Sequence, residues 1–301
     1  MTPHAPENKD SRRGVIFAMS AYILWGILPL YMKALAHVPA FEVLVHRVIW
    51  SLPIAALVVW FTGRHQDLFA ALRNPKMLGM AALTAGLISA NWGIYVWAIA
   101  NDRALDAALG YYINPLFSVF LGAVLLGERL TRRQQIAIFL AFLAVVILTY
   151  EAGHLPLLSL GLPLTFGCYA FLKKSLPIGP NQGFFLEILL LTPLALSYMA
   201  YLEFHHAGHF FMGSTSEIWL LLGCGVVTAV PLILYGNGAK FLRMSTNGFL
   251  QYSVPSMIFL MAVFVFHEPL SQARLLAFTL IWVGLALFSV DLIRPKPQEK
   301  C

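Results

Sequence analysis

Polar residues along this chain come in short clusters, and apolar runs of about twenty residues lie between them. That is the length a helix needs to cross a hydrocarbon core of about 30 Å. Ten runs qualify, predicting helices over 14–34, 43–62, 76–99, 105–126, 133–150, 156–173, 183–202, 217–236, 246–266 and 271–291. Pro163 interrupts the sixth. The intervening segments are short, which leaves neither face with a separate domain. The pattern predicts an all-α polytopic membrane protein with ten transmembrane helices.

Composition agrees. Of 301 residues 59% are hydrophobic and 11% charged, where soluble domains carry roughly a quarter charged. The net charge of +6 is spread over short clusters, which argues against a nucleic-acid partner. Cytoplasmic segments hold the excess of Lys and Arg. With the N-terminus inside, they collect sixteen of the twenty basic residues, leaving Lys33, Arg103 and Arg274 outside and Arg47 within the second span. An even number of spans then puts both termini in the cytoplasm. The polar opening MTPHAPENKDSRR precedes a run long enough to span, with no small-residue cleavage site after it, and this run is read as the first membrane helix. Cys168 and Cys224 lie in apolar spans and Cys301 is the last residue, a pattern of buried thiols and a tail rather than a disulfide framework, metal site or redox centre. The segment EFHHAGHF over 203–210 reads as a solvated outer loop. No metal or cofactor is expected.

The stretch GYYINPLFSVFLGAVLLGE (110–128) has a counterpart in LQYSVPSMIFLMAVFVFHE (250–268). Tyr112, Pro115 and Glu128 recur as Tyr252, Pro255 and Glu268, all 140 residues on. Tyr95 meets Tyr235 and Lys33 meets Lys173 at the same offset. Five spans separate the copies, so the second enters the membrane in the opposite sense, as in the inverted repeats of secondary transporters. The expected division is a cytoplasmic tail over 1–13, five-helix repeats over 14–150 and 151–291, and a second cytoplasmic tail over 292–301.

Polar groups at membrane depth face partners or a cavity. In the second helix of each half stand His46 with Arg47, and Glu187. Arg47 or His46 is suited to hold a substrate carboxylate, and His46 with Glu187 to relay a proton. A fixed Arg47–Glu187 ion pair is the structural alternative. Asn91 and Tyr95 share a helical face; with Tyr112, Asn114, Tyr235, Asn237, Gln251, Tyr252 and Trp25 they suit a neutral or zwitterionic ligand with an apolar body. Trp97 and Tyr111 read as anchors at the membrane interface. Pro115 and Pro255 each remove a backbone donor and bend or break a helix, either statically or as a point of flexure. Glu128 reads as structural, accepting from loop donors or pairing with Arg132. Small residues Ala137, Ala141, Ala144 and Gly284 permit close helix approach, within the monomer or in a homodimer.

WGILPLYMK at the end of the first span, HR in the second and GYYINPL with LGERL across the fourth resemble the EamA branch of the drug/metabolite transporter superfamily. The resemblance runs from about Gly14 to Asp291. It implies a bacterial inner-membrane carrier of small organic metabolites or drugs, working by alternating access and in the export direction. Glu128 and Glu268 resemble the family's glutamate at the end of this helix. An uncoupled facilitator of amino-acid-like metabolites is the alternative. No H-E-x-x-H, G-x-S-x-G, P-loop or acidic cluster is present, and an intramembrane enzyme is therefore not expected.

Overall fold

The computed structural model describes residues 11–63, 65–126, 130–175, 178–238, 241–242 and 250–293. The described residues fold into helices without a strand. In chain order these are α1 (Arg12–Ala34), α2 (Ala40–Phe61), α3 (His65–Leu72), α4 (Pro75–Ala100), α5 (Ala104–Leu126), α6 (Arg132–Ala152), α7 (Leu157–Ser175), α8 (Pro180–Phe204), α9 (His209–Met212), α10 (Thr215–Gly238), α11 (Ser253–Phe264) and α12 (Gln272–Ile293). Helices α1, α2, α4, α6, α8 and α10 are long and apolar enough to cross a membrane. Shorter apolar helices cover Leu157–Leu172, Ser253–Phe264 and Gln272–Leu287, and α5 runs for 23 residues. Glu128, Arg129, Lys240 and the predicted start of the ninth span at 246 lie outside the described residues.

Helix ends follow local chemistry. The Ser11 side chain accepts from the Gly14 N–H, Asn74 caps α4 with Pro75 just inside, and Thr131 and Gln134 form a reciprocal capping box on α6. Gly153 ends α6 with φ 69°. Asp102 and His206 adopt the same left-handed conformation beyond α4 and α8, at φ 54° and 52°. There the Arg103 N–H reaches the Ala98 carbonyl at 2.9 Å and the Ala207 N–H the Leu202 carbonyl at 2.9 Å, the six-to-one bond of a Schellman end.

Two short helices were not expected. Both α3 and α9 fall in segments read as loops, since neither carries a run of membrane length. Leu68 and Ala71 of α3 are buried with Val59, Ala81 and Leu186. Phe210 of α9 packs on His46 and Trp50, with ring centroids 5.0 and 5.5 Å away.

The main packing pairs are α6 with α12, α2 with α8 and α10, α1 with α10 and α11, α4 with α7 and α8, and α5 with α7 and α11. Helices α2 and α8 run antiparallel. Phe41 near the start of α2 lies 4.6 Å, ring to ring, from Tyr198 near the end of α8; Val59 near the end of α2 shares a core with Leu186 near the start of α8. Pro53 in α2 and Pro193 in α8 are again 140 residues apart (193 less 53), and each helix continues through its proline. Ala137 and Gly284 meet in the α6–α12 contact, where a Cβ on Gly284 would lie 3.2 Å from the Ala137 carbonyl oxygen.

Polar contacts tie the bundle together at the end where α1 finishes and α2 begins. Lys33 pairs with Asp102. Asp106 takes Arg103 at 2.7 Å and Arg274 at 3.7 Å. His37 meets Glu217 at 2.6 Å, and Glu42 accepts from the His209 N–H at 2.6 Å while its other oxygen meets the ring Nδ1 at 2.8 Å. Glu268, 5% exposed, accepts from the Ala104 and Leu105 N–H groups at 2.6 and 2.9 Å. It thereby caps α5 from a distant part of the chain.

Burial raises the Glu268 carboxyl above its ordinary value, against the lowering effect of the two N–H donors and Arg274. The folded chain therefore holds this proton to higher pH than the unfolded chain. The stability contributed by this titration is complete below the unfolded value and is lost as pH rises through the folded one. The melting temperature of the wild type, relative to Glu268→Gln, is expected to fall as pH rises from below the ordinary carboxylate range. A pH series of thermal melts on both proteins checks this; a difference that is flat or rises with pH contradicts it.

A candidate substrate cavity

A partly open cavity of about 80 Å³ lies between α1, α2, α4, α5, α7, α10 and α11. Helical spacing determines what reaches it. Asn91 and Tyr95 stand one turn apart on α4, and Tyr111 and Asn114 share a face of α5. All four line the cavity with Arg47, Trp25, Gln251 and Pro255, while Leu28, Ile88, Phe166, Leu232 and Ile258 give it an apolar wall.

Arg47, 2% exposed, is the charged group of this lining. Its Nε donates to Thr228 Oγ1 at 2.9 Å, and its guanidinium lies 4.8 Å from the Trp92 ring centre. Its Nη1 is buried without a hydrogen-bond partner, as is the Tyr95 hydroxyl. Asn91 is turned to structure: its Nδ2 donates to the Leu162 carbonyl and to Thr165 Oγ1, both at 3.0 Å, and its Oδ1 accepts from the Tyr111 hydroxyl at 3.4 Å.

The expected Arg47–Glu187 pair does not form. Glu187 accepts from Thr84 Oγ1 at 2.8 Å and from the Tyr169 hydroxyl at 3.4 Å. Both residues sit seven positions into their helices, and those helices are antiparallel, which places them about 10 Å from opposite ends at 1.5 Å per residue. Positions equally far along two antiparallel helices approach one another only near the middle. His46 is also drawn into structure: its Nδ1 accepts from Trp50 Nε1 at 2.9 Å. Indole N–H only donates, so this bond occupies the His46 Nδ1 lone pair.

Other expected site residues lie off the cavity. Tyr112 is about 100° around α5 from Tyr111; its hydroxyl meets Ser256 Oγ at 2.7 Å and its ring packs on Phe278 and Trp282. Tyr235 backs Trp25 at 5.5 Å. Asn237 donates to the Ile233 carbonyl and to Asn181 Oδ1, at 2.7 and 3.2 Å. The Tyr252 hydroxyl is buried without a partner, and Tyr252 is outside the cavity lining. Pro115 sits inside an unbroken α5. Pro255 falls in the first turn of α11, after a turn at Tyr252, where a missing N–H costs little.

Two wall residues went unread. Tyr111, an expected interface anchor like other aromatic residues at that depth, instead lines the cavity, and its three-residue spacing to Asn114 is the signal for this. Trp92, about 100° around α4 from Asn91, also lines the cavity beneath Arg47. Trp97 is 45% exposed, in keeping with an anchor. In the histidine-bearing loop, His205 and His206 are exposed, whereas His209 is engaged with Glu42.

Apolar membrane-length helices packed around a small cavity with a buried cation define a multi-pass membrane protein. The EamA-like transporter family matches residues 12–150. An uncharacterized transporter of Vibrio cholerae is 39% identical over 287 residues, covering 95% of each chain. Protein RarD of Salmonella typhi is 38% identical over 285 residues, covering 95% of this chain and 97% of its own. One solved structure shares the architecture at a TM-score of 0.59 and 20% identity, covering 96% of this chain and all of the other. The chain belongs to the EamA-like transporter family, and its similarity to RarD proteins runs almost end to end. Family and relatives are those of a transporter rather than an enzyme.

Proposed function

We propose that the protein is a secondary transporter that moves small organic metabolites or drugs across the bacterial inner membrane by alternating access, in the export direction. The observation that carries this reading is the cavity, assembled from helices of both halves and lined by an unpaired cationic edge, hydroxyls and aromatic rings. Ten spans in two inverted repeats, with both termini cytoplasmic, are the arrangement on which it rests. In its support, exchanging α1, α2, α4, α5 and α6 with α7, α8, α10, α11 and α12 turns the α1–α10 contact into α7–α4, α1–α11 into α7–α5, and α2–α10 into α8–α4. Each of these is a main packing pair. The α2–α8, α5–α11 and α6–α12 pairs exchange into themselves, and a pseudo-two-fold of this kind lets one half rock against the other. The polar contacts around Asp106, Glu42 and Glu268 then form a closure on the outer side.

A second reading, uncoupled facilitation, is favoured by one observation. Among the described residues no carboxylate and no histidine lines the cavity, so no proton carrier faces the ligand. Uptake into proteoliposomes of labelled amino acids, organic acids, aromatic metabolites and chloramphenicol, with and without an imposed pH gradient, separates the two. Saturable accumulation driven by the gradient supports coupling, and Glu187→Gln should then reduce it. Saturable flux that only equilibrates supports the facilitator. No flux for any compound counts against both.

A further inference from the structure

Beside Arg47 the cavity presents a positive charge without a counter-charge. Among the described residues the guanidinium has Thr228 as its hydrogen-bond acceptor and Trp92 as its aromatic neighbour, with no carboxylate in ion-pair range. A buried cation without a carboxylate is strongly disfavoured at membrane depth. One neutral hydroxyl and a ring face offset only part of that cost. Two buried donors without a hydrogen-bond partner, Arg47 Nη1 and the Tyr95 hydroxyl, on α2 and α4, belong to residues that line the same cavity. Asn91 cannot supply a third, because its amide hydrogens are committed to Leu162 and Thr165. The rest of the wall is mainly aromatic and aliphatic, with Trp25, Leu28, Ile88 and Phe166 prominent.

We infer that the ligand of this cavity is a small organic monoanion, its carboxylate held by Arg47 and Tyr95 and its apolar body laid against the Trp25 and Phe166 side. The inference rests on the reading of the cavity as the transport site and narrows it. A carboxylate accepts from both orphan donors and neutralises the guanidinium, whereas a neutral amide supplies one carbonyl and no charge. A zwitterion brings an ammonium group, and no acidic residue is available among the described lining to receive it. This replaces the neutral or zwitterionic ligand suggested by the amides and hydroxyls of the sequence, because Arg47 adds its charge to their side of the cavity.

The test is calorimetric titration of the purified, detergent-solubilised full chain with near-isosteric probes: butyrate, isovalerate and lactate as anions, isovaleramide as neutral, isopentylamine as cation, valine as zwitterion. The anions are expected to bind saturably, and isovalerate to bind about tenfold or more tightly than isovaleramide, isopentylamine or valine. Arg47→Gln should erase that preference by weakening isovalerate about tenfold while leaving the amide unchanged, and Tyr95→Phe should weaken isovalerate a few-fold. If the Gln variant does not fold, Arg47→Lys carries the test: the preference for the anion persists, with several-fold weaker binding through loss of the guanidinium fork. The inference is overturned if valine or isovaleramide binds as tightly as isovalerate, if the Arg47 variants bind isovalerate like the wild type, or if no monoanion binds. Titration does not depend on flux: anions that bind through Arg47 but do not cross proteoliposomes overturn the carrier reading alone, while flux of uncharged compounds without anion binding overturns only the assignment made here.

Discussion

Replacing Arg47 with Met should lower saturable flux of the transported compound about a hundredfold while leaving the apparent melting temperature unchanged or raised. The two expectations come from one fact, the burial of a cation whose Nη1 has no partner. Losing one member of a desolvated charge pair between protein and substrate costs about 2–5 kcal/mol of binding, and 2.8 kcal/mol is a hundredfold. For the empty protein the account reverses, because exchanging an uncompensated buried charge for an apolar side chain of similar length is neutral or favourable. Losing the Thr228 bond and the contact with Trp92 subtracts only about 1–2 kcal/mol from that gain. Proteoliposome flux and thermal melts in the same detergent separate the outcomes. Loss of both flux and stability would make Arg47 a packing residue, and undiminished flux would remove it from the transport site.

Gly225→Ala should be a strongly damaging single methyl. A Cβ at that position would collide with the Trp50 carbonyl group of α2 and lie 2.6 Å from its Cβ. Backbone atoms cannot swing aside as the tip of a side chain can, so α2 and α10 must separate. Overpacking of this kind costs about 1–3 kcal/mol or more. The same contact carries the Ser51 hydroxyl bond to the Gly225 carbonyl at 3.3 Å and, one turn on, the Arg47–Thr228 bond, so flux should fall along with stability. Gly93→Ala is the control: its Cβ meets only Leu44 Cδ2, at 3.8 Å. Alanine's helix preference there, about 1 kcal/mol over glycine, should leave melting unchanged or raised. Size-exclusion and melting profiles of the two variants check the contrast, and equal behaviour would refute it.

Much of the architecture is legible in one dimension because a bilayer imposes a length. Runs of about twenty apolar residues placed α1, α2, α4, α6, α8 and α10 within a few residues of their observed limits. Asn91, Tyr95, Asn114, Gln251, Trp25 and Arg47, singled out as polar or aromatic groups at depth, do line the cavity. Helices α3 and α9 escaped notice because each is held by a few buried side chains, such as Leu68 and Phe210, rather than by a membrane-length run.

By itself the sequence determined that the chain is helical and membrane-embedded, that two stretches 140 residues apart repeat, and that a few costly polar groups must be turned inward. These follow from nearest-neighbour spacing and from the expense of polarity in hydrocarbon. Tertiary structure alone decided which of those groups meet. Arg47 and Glu187 occupy matching places in sequence yet sit toward opposite ends of antiparallel helices, and adjacent Tyr111 and Tyr112 part because one residue is 100° of helical rotation. The repeat identified equivalent positions, but only the crossing of helices from both halves left Arg47 beside Trp92 and Tyr95 with its charge unanswered.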